Sequence, residues 1–528
     1  MPTNFPQSRR SSAIWKWLGF AGIGVLFVAL RWNNFNAPLT RDEGEYAYAA
    51  QLLERGVAPY QHAFIQKPPM VIYSYAFADW LRPQCYWSPR ILAGVFVALA
   101  TVLLGYAVRL EFGTSVAWMA MWLATVMIPA PEIEQFAANT EMFLLLPLLT
   151  IIAVFVRERH RGYRRWLWLL AGFAAIAAVL YKYTVLPLVA FIFIAWVLKT
   201  ARTQDARQLV RRLFPACIGA VTAGALMLGF FIFHDGGRQL WECTVLFNRH
   251  YVQSGNFGLS DFWFNLKSFW SAWQILFLLS GAAFLRPAAR IWFWAWLFGG
   301  ALLCTGASVY GHYYIPLMPF WAVLAANGIK TAGELLANLL KRPSSEIVGV
   351  MAAITLFLCL LPDLPWIACP SSRFSPAKFG SENPFAESPL VASRIAELST
   401  PDDFVFIAGS EPQILCYAHR FSPTRFITMY PLMIPSSLAP EYQREAIQDL
   451  EQRPPTLIVL ARANTSWLKE RNSPKDFPSQ LKVLLDQDYT RVGGYVPDVT
   501  NGFWAEPLSD IQFDRSSLVL FKRKSAGK

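Results

Sequence analysis

Apolar runs long enough to cross a bilayer recur through the first 361 residues. That recurrence limits the fold more than any other feature. Spans are expected near 13–31, 91–110, 114–130, 142–156, 166–181, 184–199, 213–233, 269–285, 291–309, 313–329 and 345–361. A helix needs roughly 20 residues to traverse the hydrocarbon core, so about eleven transmembrane helices follow. Backbone polar groups cannot stay unpaired in lipid, and the fold class is therefore a polytopic α-helical membrane protein. Charged residues make up only 16% of the chain, against about 25% in soluble domains. Arg9, Arg10 and Lys16 precede the first run, and "RWNNFNAPLT" after it lacks a small-residue cleavage pattern. The first span thus reads as an uncleaved anchor.

The net charge of +12 is not distributed as a nucleic-acid footprint, and nucleic acid is not an expected partner. Its basic residues gather in "RERHRGYRR" (157–165), "KTARTQDARQLVRR" (199–212), "RPAAR" (286–290) and "KTAGELLANLLKR" (330–342). These stretches fall on one side of the span count, which the positive-inside rule makes cytoplasmic. The loop at 38–82, the loop around Glu141, the 234–268 loop, "YGHYY" and everything after 361 fall on the other side. The expected location is the inner (plasma) membrane, with membrane lipids as partners and the chemistry facing the periplasm.

Composition shifts near 362, dividing the chain into a transmembrane part, 1–361, and an extracytoplasmic α/β domain, 362–528. "FVFIAGS", "RFITMY", "TLIVLARA" and "SLVLFKR" have the pattern of strands, while "LVASRIAEL", "PEYQREAIQDLEQR" and "SQLKVLLDQ" have that of amphipathic helices. The seven cysteines include no CxxC. Cys369 and Cys416 both lie in the exported part, where they can pair.

The outer stretch "LTRDEGEYAYAAQLLERGVAPYQHAFIQKPPM" (39–70) is unusually polar for its setting. Thr40 and Glu43 fit a capping box, Tyr46, Ala50 and Leu53 follow at helical spacing, and Gly56 can close the helix. This predicts a short amphipathic helix along the outer membrane surface. The cap accounts for Glu43. Asp42 and Glu45 are left as crowded carboxylates, forming either a solvated face or a site. Pro68-Pro69 can open the helix "MVIYSYAFADWL", holding Lys67 at its N-terminus. A cation and free N–H groups meeting there suit a phosphate. The plainer alternative is a lysine snorkelling to the headgroups.

An outer-loop Asp42-Glu43 pair followed by Lys67-Pro68-Pro69 resembles the GT-C membrane glycosyltransferases. That family includes the protein O-mannosyltransferases and the bacterial lipid A aminoarabinose transferases, which this chain resembles. The similarity continues through "IQKPPMVIYSYAFADWL", "SPRILAGVFVALATVLLGYAVRLEFGTSVAWMAMW", "NTEMFLLLPL", "VLYKYTVLPL" and "GHYYIPLMPFWAVLAANGI", and covers most of 38–328. It implies a GT-C fold and transfer of one sugar from a polyprenyl-phosphate donor to a lipid, glycan or protein acceptor, with inversion at C1. By position it implies that Asp42 is the catalytic acid residue, activating the acceptor or holding a divalent metal ion. Glu43 stands beside it on the substrate side, and Glu141 matches the second acidic position. Lys67 and Lys182 would face the sugar phosphate, Arg249 and His250 the leaving phosphate. Tyr313 opens a Tyr-x-x-Pro-x-x-Pro pattern completed by Pro316 and Pro319.

Two departures from the aminoarabinose subgroup stand out: Gln66 replaces a glutamate and Glu45 replaces an arginine. That subgroup's metal ligand and sugar are therefore not carried over. Two other functions fit part of the pattern. A transporter or flippase would place ionisable groups near the midplane and show repeats, whereas here they sit at span ends and no repeat is evident. An envelope glycan polymerase or ligase is the nearer alternative.

Overall fold

A computed structural model describes residues 7–133, 137–202, 205–253, 258–306, 308, 310–498 and 502–524. Every expected apolar run is helical within it. Ser88–Phe112, Thr140–Arg161, Tyr183–Ala201, Ala206–Phe233, Leu259–Leu285 and Ser344–Ile367 are long and apolar enough to cross a membrane. Thr114–Met127, Arg165–Tyr181 and Ala289–Cys304 are shorter apolar helices, and Gln7–Ala29 and Met318–Leu340 accompany them. The run expected at 313–329 begins instead as a 3₁₀ turn, Gly311–Leu317, with Pro316 inside it. Pro319 then occupies the first turn of the α-helix, where its missing donor is harmless. Small residues let neighbouring helices touch: Gly172 and Gly219 leave no space for a Cβ against the Ala216 and Leu169 carbonyls.

The two ends of the helical assembly differ in charge. Thr140–Arg161 starts at Glu141, which is ion-paired with Lys182. It ends at Arg159 and His160, which meet Glu111 at 3.3 and 3.1 Å. Arg290 donates to the Glu111 carbonyl at 2.6 Å on that same basic end. The opposite end carries the C-terminal α/β unit.

That unit holds a five-stranded sheet in the order β1-β2-β5-β3-β4. The strands are β1 (Val405–Ala408), β2 (Leu457–Ala461), β3 (Tyr489–Val496), β4 (Phe503–Ala505) and β5 (Leu518–Arg523). β1 and β2 are parallel, and the other pairs are antiparallel. The helices Ser388–Leu398, Ala439–Gln452 and Asp476–Asp488 occupy the segments that the sequence marks as amphipathic. The strand readings need correction at "RFITMY", at β3 and at the three-residue β4. "RFITMY" is not a strand: its backbone is bonded to side chains and to another segment, with Met429 N–H on Ser410 Oγ at 2.8 Å and the Arg425 carbonyl accepting from Phe64 N–H at 2.6 Å. β3 escaped notice because Gly493 and Gly494 interrupt its pattern, next to a register shift between Arg491 and Gly493. The pairing open to Cys369 and Cys416 is not made. Both thiols are free, and Cys416 is buried against Gln51.

The capped helix is Arg41–Glu54, and Thr40 and Glu43 form the expected box. It does not lie on an open surface, however. Glu43, Gly44, Glu45, Tyr46, Tyr48, Ala49, Ala50 and Leu52 are all buried, between the Met70–Leu81 helix and the Pro412–Ala418 helix of the α/β unit. Arg41 meets Glu411 at 2.7 Å, and Leu39 N–H donates to Tyr417 Oη at 2.8 Å. Ser422 N–H donates to Tyr48 Oη at 3.0 Å. Gly44 is the point of closest approach, where a Cβ would fall on the backbone of Gln413. Gly44→Ala should therefore loosen this seat. A better helix former gains about 1 kcal/mol, but overpacking against backbone costs about 1–3 kcal/mol. Protease sensitivity of the α/β unit should rise; a variant more resistant than wild type would contradict the close contact.

Candidate active site

The first turn of the Arg41–Glu54 helix sends its carboxylates in different directions. Glu43 points into the protein, where Arg90 grips it with two hydrogen bonds of 2.7 and 2.6 Å. The backbone N–H groups of Thr40 and Ala138 add bonds of 3.0 and 2.9 Å. Burial opposes the charge, yet Arg90 and these donors hold the Glu43 carboxyl below its ordinary range. Glu43 is thus committed to the cap and to Arg90, and does not line the cavity that Asp42 faces.

Asp42 and Glu45, three residues apart and so on one helix face, line a cavity of about 270 Å³. Gln66 and Lys67 form another wall, with His312 and Tyr313 from the 3₁₀ turn, Tyr310 just before it and Tyr251 from the Phe247–Gln253 helix. Thr40 and Arg41 also line it, and the α/β unit supplies Phe379, Asn383, Phe385, Tyr430 and Leu468.

The cations converge on Tyr313. Lys67 Nζ lies 3.5 Å from its hydroxyl, and Lys182 Nζ lies 3.0 Å from its ring centroid. Lys182 is ion-paired with Glu141, both side chains being buried. Local bonds hold these positions. Tyr60 Oη donates to the Lys67 carbonyl at 2.7 Å, Asn248 to the Gln66 carbonyl at 2.9 Å, and Thr140 to the Tyr181 carbonyl at 2.7 Å. Burial works against the Lys67 charge, but Tyr313 and the carboxylates of Asp42, Glu141 and Glu45 outweigh it and keep the ammonium above its ordinary range. Glu45 behaves oppositely. Burial first, then the Asp42 carboxylate, push its carboxyl up to about 8, although Tyr430, Lys67 and Arg41 favour the charge.

Asp42, Lys67 and Tyr313 therefore share one cavity, with Lys182 and Glu141 packed behind Tyr313. Arg249 is exposed and His250 half-buried, and neither lines the cavity; Tyr251 of the same helix does. Sequence reading overlooked Arg90 and the lining residues of the α/β unit. A lone arginine at the start of an apolar run could have signalled a buried partner; Tyr430 carries no such signal.

The metal role expected for Asp42 finds no support in the donor set. Among the described residues no three His, Cys, Asp or Glu side chains gather around one point, and Gln66 offers an amide rather than a carboxylate.

Two crystal structures of ArnT from Cupriavidus metallidurans share this architecture. The one bound to undecaprenyl phosphate is 14% identical with a TM-score of 0.60, and the one in the apo state is 16% identical with a TM-score of 0.57. Each match covers 97% of this chain and 98% of the other. No family model and no curated protein sequence matches the chain.

Proposed function

We propose that this chain, which has the GT-C fold, is a membrane glycosyltransferase that moves a single sugar from a polyprenyl-phosphate donor to a hydroxyl on the outward face. The observation that carries the reading is one cavity lined by both Asp42 and Lys67. An undecaprenyl-phosphate-bound ArnT has this architecture, and a lipid-borne phosphate suits the cations gathered here. The cavity volume, about 270 Å³, falls below the roughly 300–1,000 Å³ of drug-sized ligand sites. That space accommodates one sugar-phosphate headgroup.

In the proposed reaction Lys67 takes the phosphate oxygens, and Lys182, held by Glu141, adds positive potential from behind Tyr313. Charge developing on the departing phosphate is stabilised by these fixed groups. Asp42 accepts a hydrogen bond from the acceptor hydroxyl and aims it at C1 from the face opposite the phosphate. In-line displacement then inverts the anomeric centre. The acceptor would be a lipid, an envelope glycan or a protein in the periplasm.

Lys67→Ala tests the phosphate side. A hydrogen bond to a charged group contributes about 1.5–3 kcal/mol, or roughly 10- to 150-fold. Retention of undecaprenyl phosphate by the purified protein, followed by native mass spectrometry, should weaken by that factor. Retention equal to wild type would show that Lys67 only anchors the Met70–Leu81 helix.

A further inference from the structure

The first turn of the Arg41–Glu54 helix presents two carboxyl groups to the cavity, and the proposed mechanism uses only one. Asp42, in the first turn of the helix, orients the acceptor hydroxyl in that mechanism and is given no proton to carry. Glu45 is 4% exposed yet reaches the same cavity wall. It accepts a hydrogen bond from the Tyr430 hydroxyl at 2.8 Å. Tyr430 belongs to the α/β unit and lines the cavity as well. So a carboxyl from the helical part and a hydroxyl from the α/β unit meet beside the place where an acceptor must approach Asp42.

We propose that Glu45 is a second catalytic carboxyl, the base that receives the acceptor's proton, and that Tyr430 is its positioning residue. The proposal rests on the glycosyltransferase reading and deepens it. In the step, the C1–oxygen bond to the donor phosphate breaks and its electron pair stays on the phosphate. The acceptor oxygen bonds to C1, and its proton passes to the Glu45 carboxylate. No other reactant is needed. Asp42 orients the hydroxyl, Glu45 takes the proton, and Lys67 faces the leaving group.

Several charged or titratable groups surround Glu45: Asp42 and Arg41 on its own helix, Lys67 from the 63–69 segment, and Tyr430 from the α/β unit. Tyr60 also feels its charge, and His312, Tyr251 and Tyr313 line the same cavity. Burial and Asp42 raise its proton affinity towards that of an effective base near neutral pH. A base must be ionised to act, so turnover should climb as pH rises through the Glu45 transition.

The test uses the full chain in membrane vesicles from cells lacking the chromosomal copy, which supply donor and acceptor. Sugar addition is followed by mass spectrometry from pH 5.5 to 9.5. Wild type should show a rising limb centred near 8. Glu45→Gln should lose the limb and about 10²–10⁴-fold in rate, while Glu45→Asp keeps a limb. Tyr430→Phe removes a donor that favours the carboxylate and should move the limb to higher pH. A wild-type limb that persists in Glu45→Gln, or a Tyr430→Phe limb that stays in place, overturns the proposal while leaving the glycosyltransferase reading intact. Wild-type vesicles that add no sugar at any pH would overturn both.

Discussion

Asp42→Asn should insert, fold and display the α/β unit normally, yet transfer sugar about 10²–10⁴-fold more slowly than wild type. The size follows from the two contributions lost together, placement of the acceptor hydroxyl and a negative charge facing the reacting C1. In barrier terms this is roughly 3–5 kcal/mol. Folding should be spared because Asp42 has little structural work: the capping box uses Thr40 and Glu43, and the seat of the α/β unit uses Arg41, Leu39 and Tyr48. Product formation per correctly inserted molecule is the measurement. Turnover equal to wild type would remove Asp42 from the reaction.

Arg90→Ala should do the reverse, damaging the fold rather than the chemistry. Arg90 binds both oxygens of Glu43 and donates to the carbonyls of Asn34 and Ala37, each at 2.6 Å. Its side chain is 4% exposed and that of Glu43 0%. Removing the guanidinium leaves a buried carboxylate with no counter-charge, and breaking such a pair costs about 3–5 kcal/mol. Arg90→Lys should recover only part of this, because an ammonium cannot reproduce the two-pronged geometry. Thermal unfolding in detergent reads the effect. An Arg90→Ala protein as stable as wild type would mean that Glu43 is held adequately by Thr40 and Ala138 alone.

The parts of the molecule that were legible in the sequence are those set by local pattern. Apolar runs announce helices because lipid leaves the backbone no other solution. Thr40-x-x-Glu43 announces a cap, and Pro68-Pro69 announces the Met70–Leu81 helix. Lys182 stood out only through the family resemblance, and the meeting of Lys67 and Lys182 at Tyr313 was not legible, because Tyr313 lies 246 residues beyond Lys67. What stayed hidden depends on distant segments. Glu45 and Tyr430 are 385 residues apart, and Glu43 and Arg90 are 47 apart. Nothing local says that a helix with a polar first turn will be covered on both faces. The surface helix expected at 41–54 is instead the layer between the membrane part and the α/β unit, and Gly44 marks how closely the two meet. Glu43 shows the same limit. Its neighbourhood to Asp42 suggested a shared substrate role, whereas successive helix positions point apart and Arg90 claims it.

The central claim is that Asp42 and Lys67 act together on a lipid-borne sugar in one cavity. Its most direct test is mass spectrometry of envelope glycolipids, glycans and glycoproteins from a deletion strain complemented with wild type, Asp42→Asn or Lys67→Ala. One component should lose a single sugar mass on deletion, regain it with wild type, and regain little or none of it with either variant. An envelope unchanged in mass by the deletion, or a sugar restored equally by Asp42→Asn, would contradict the account.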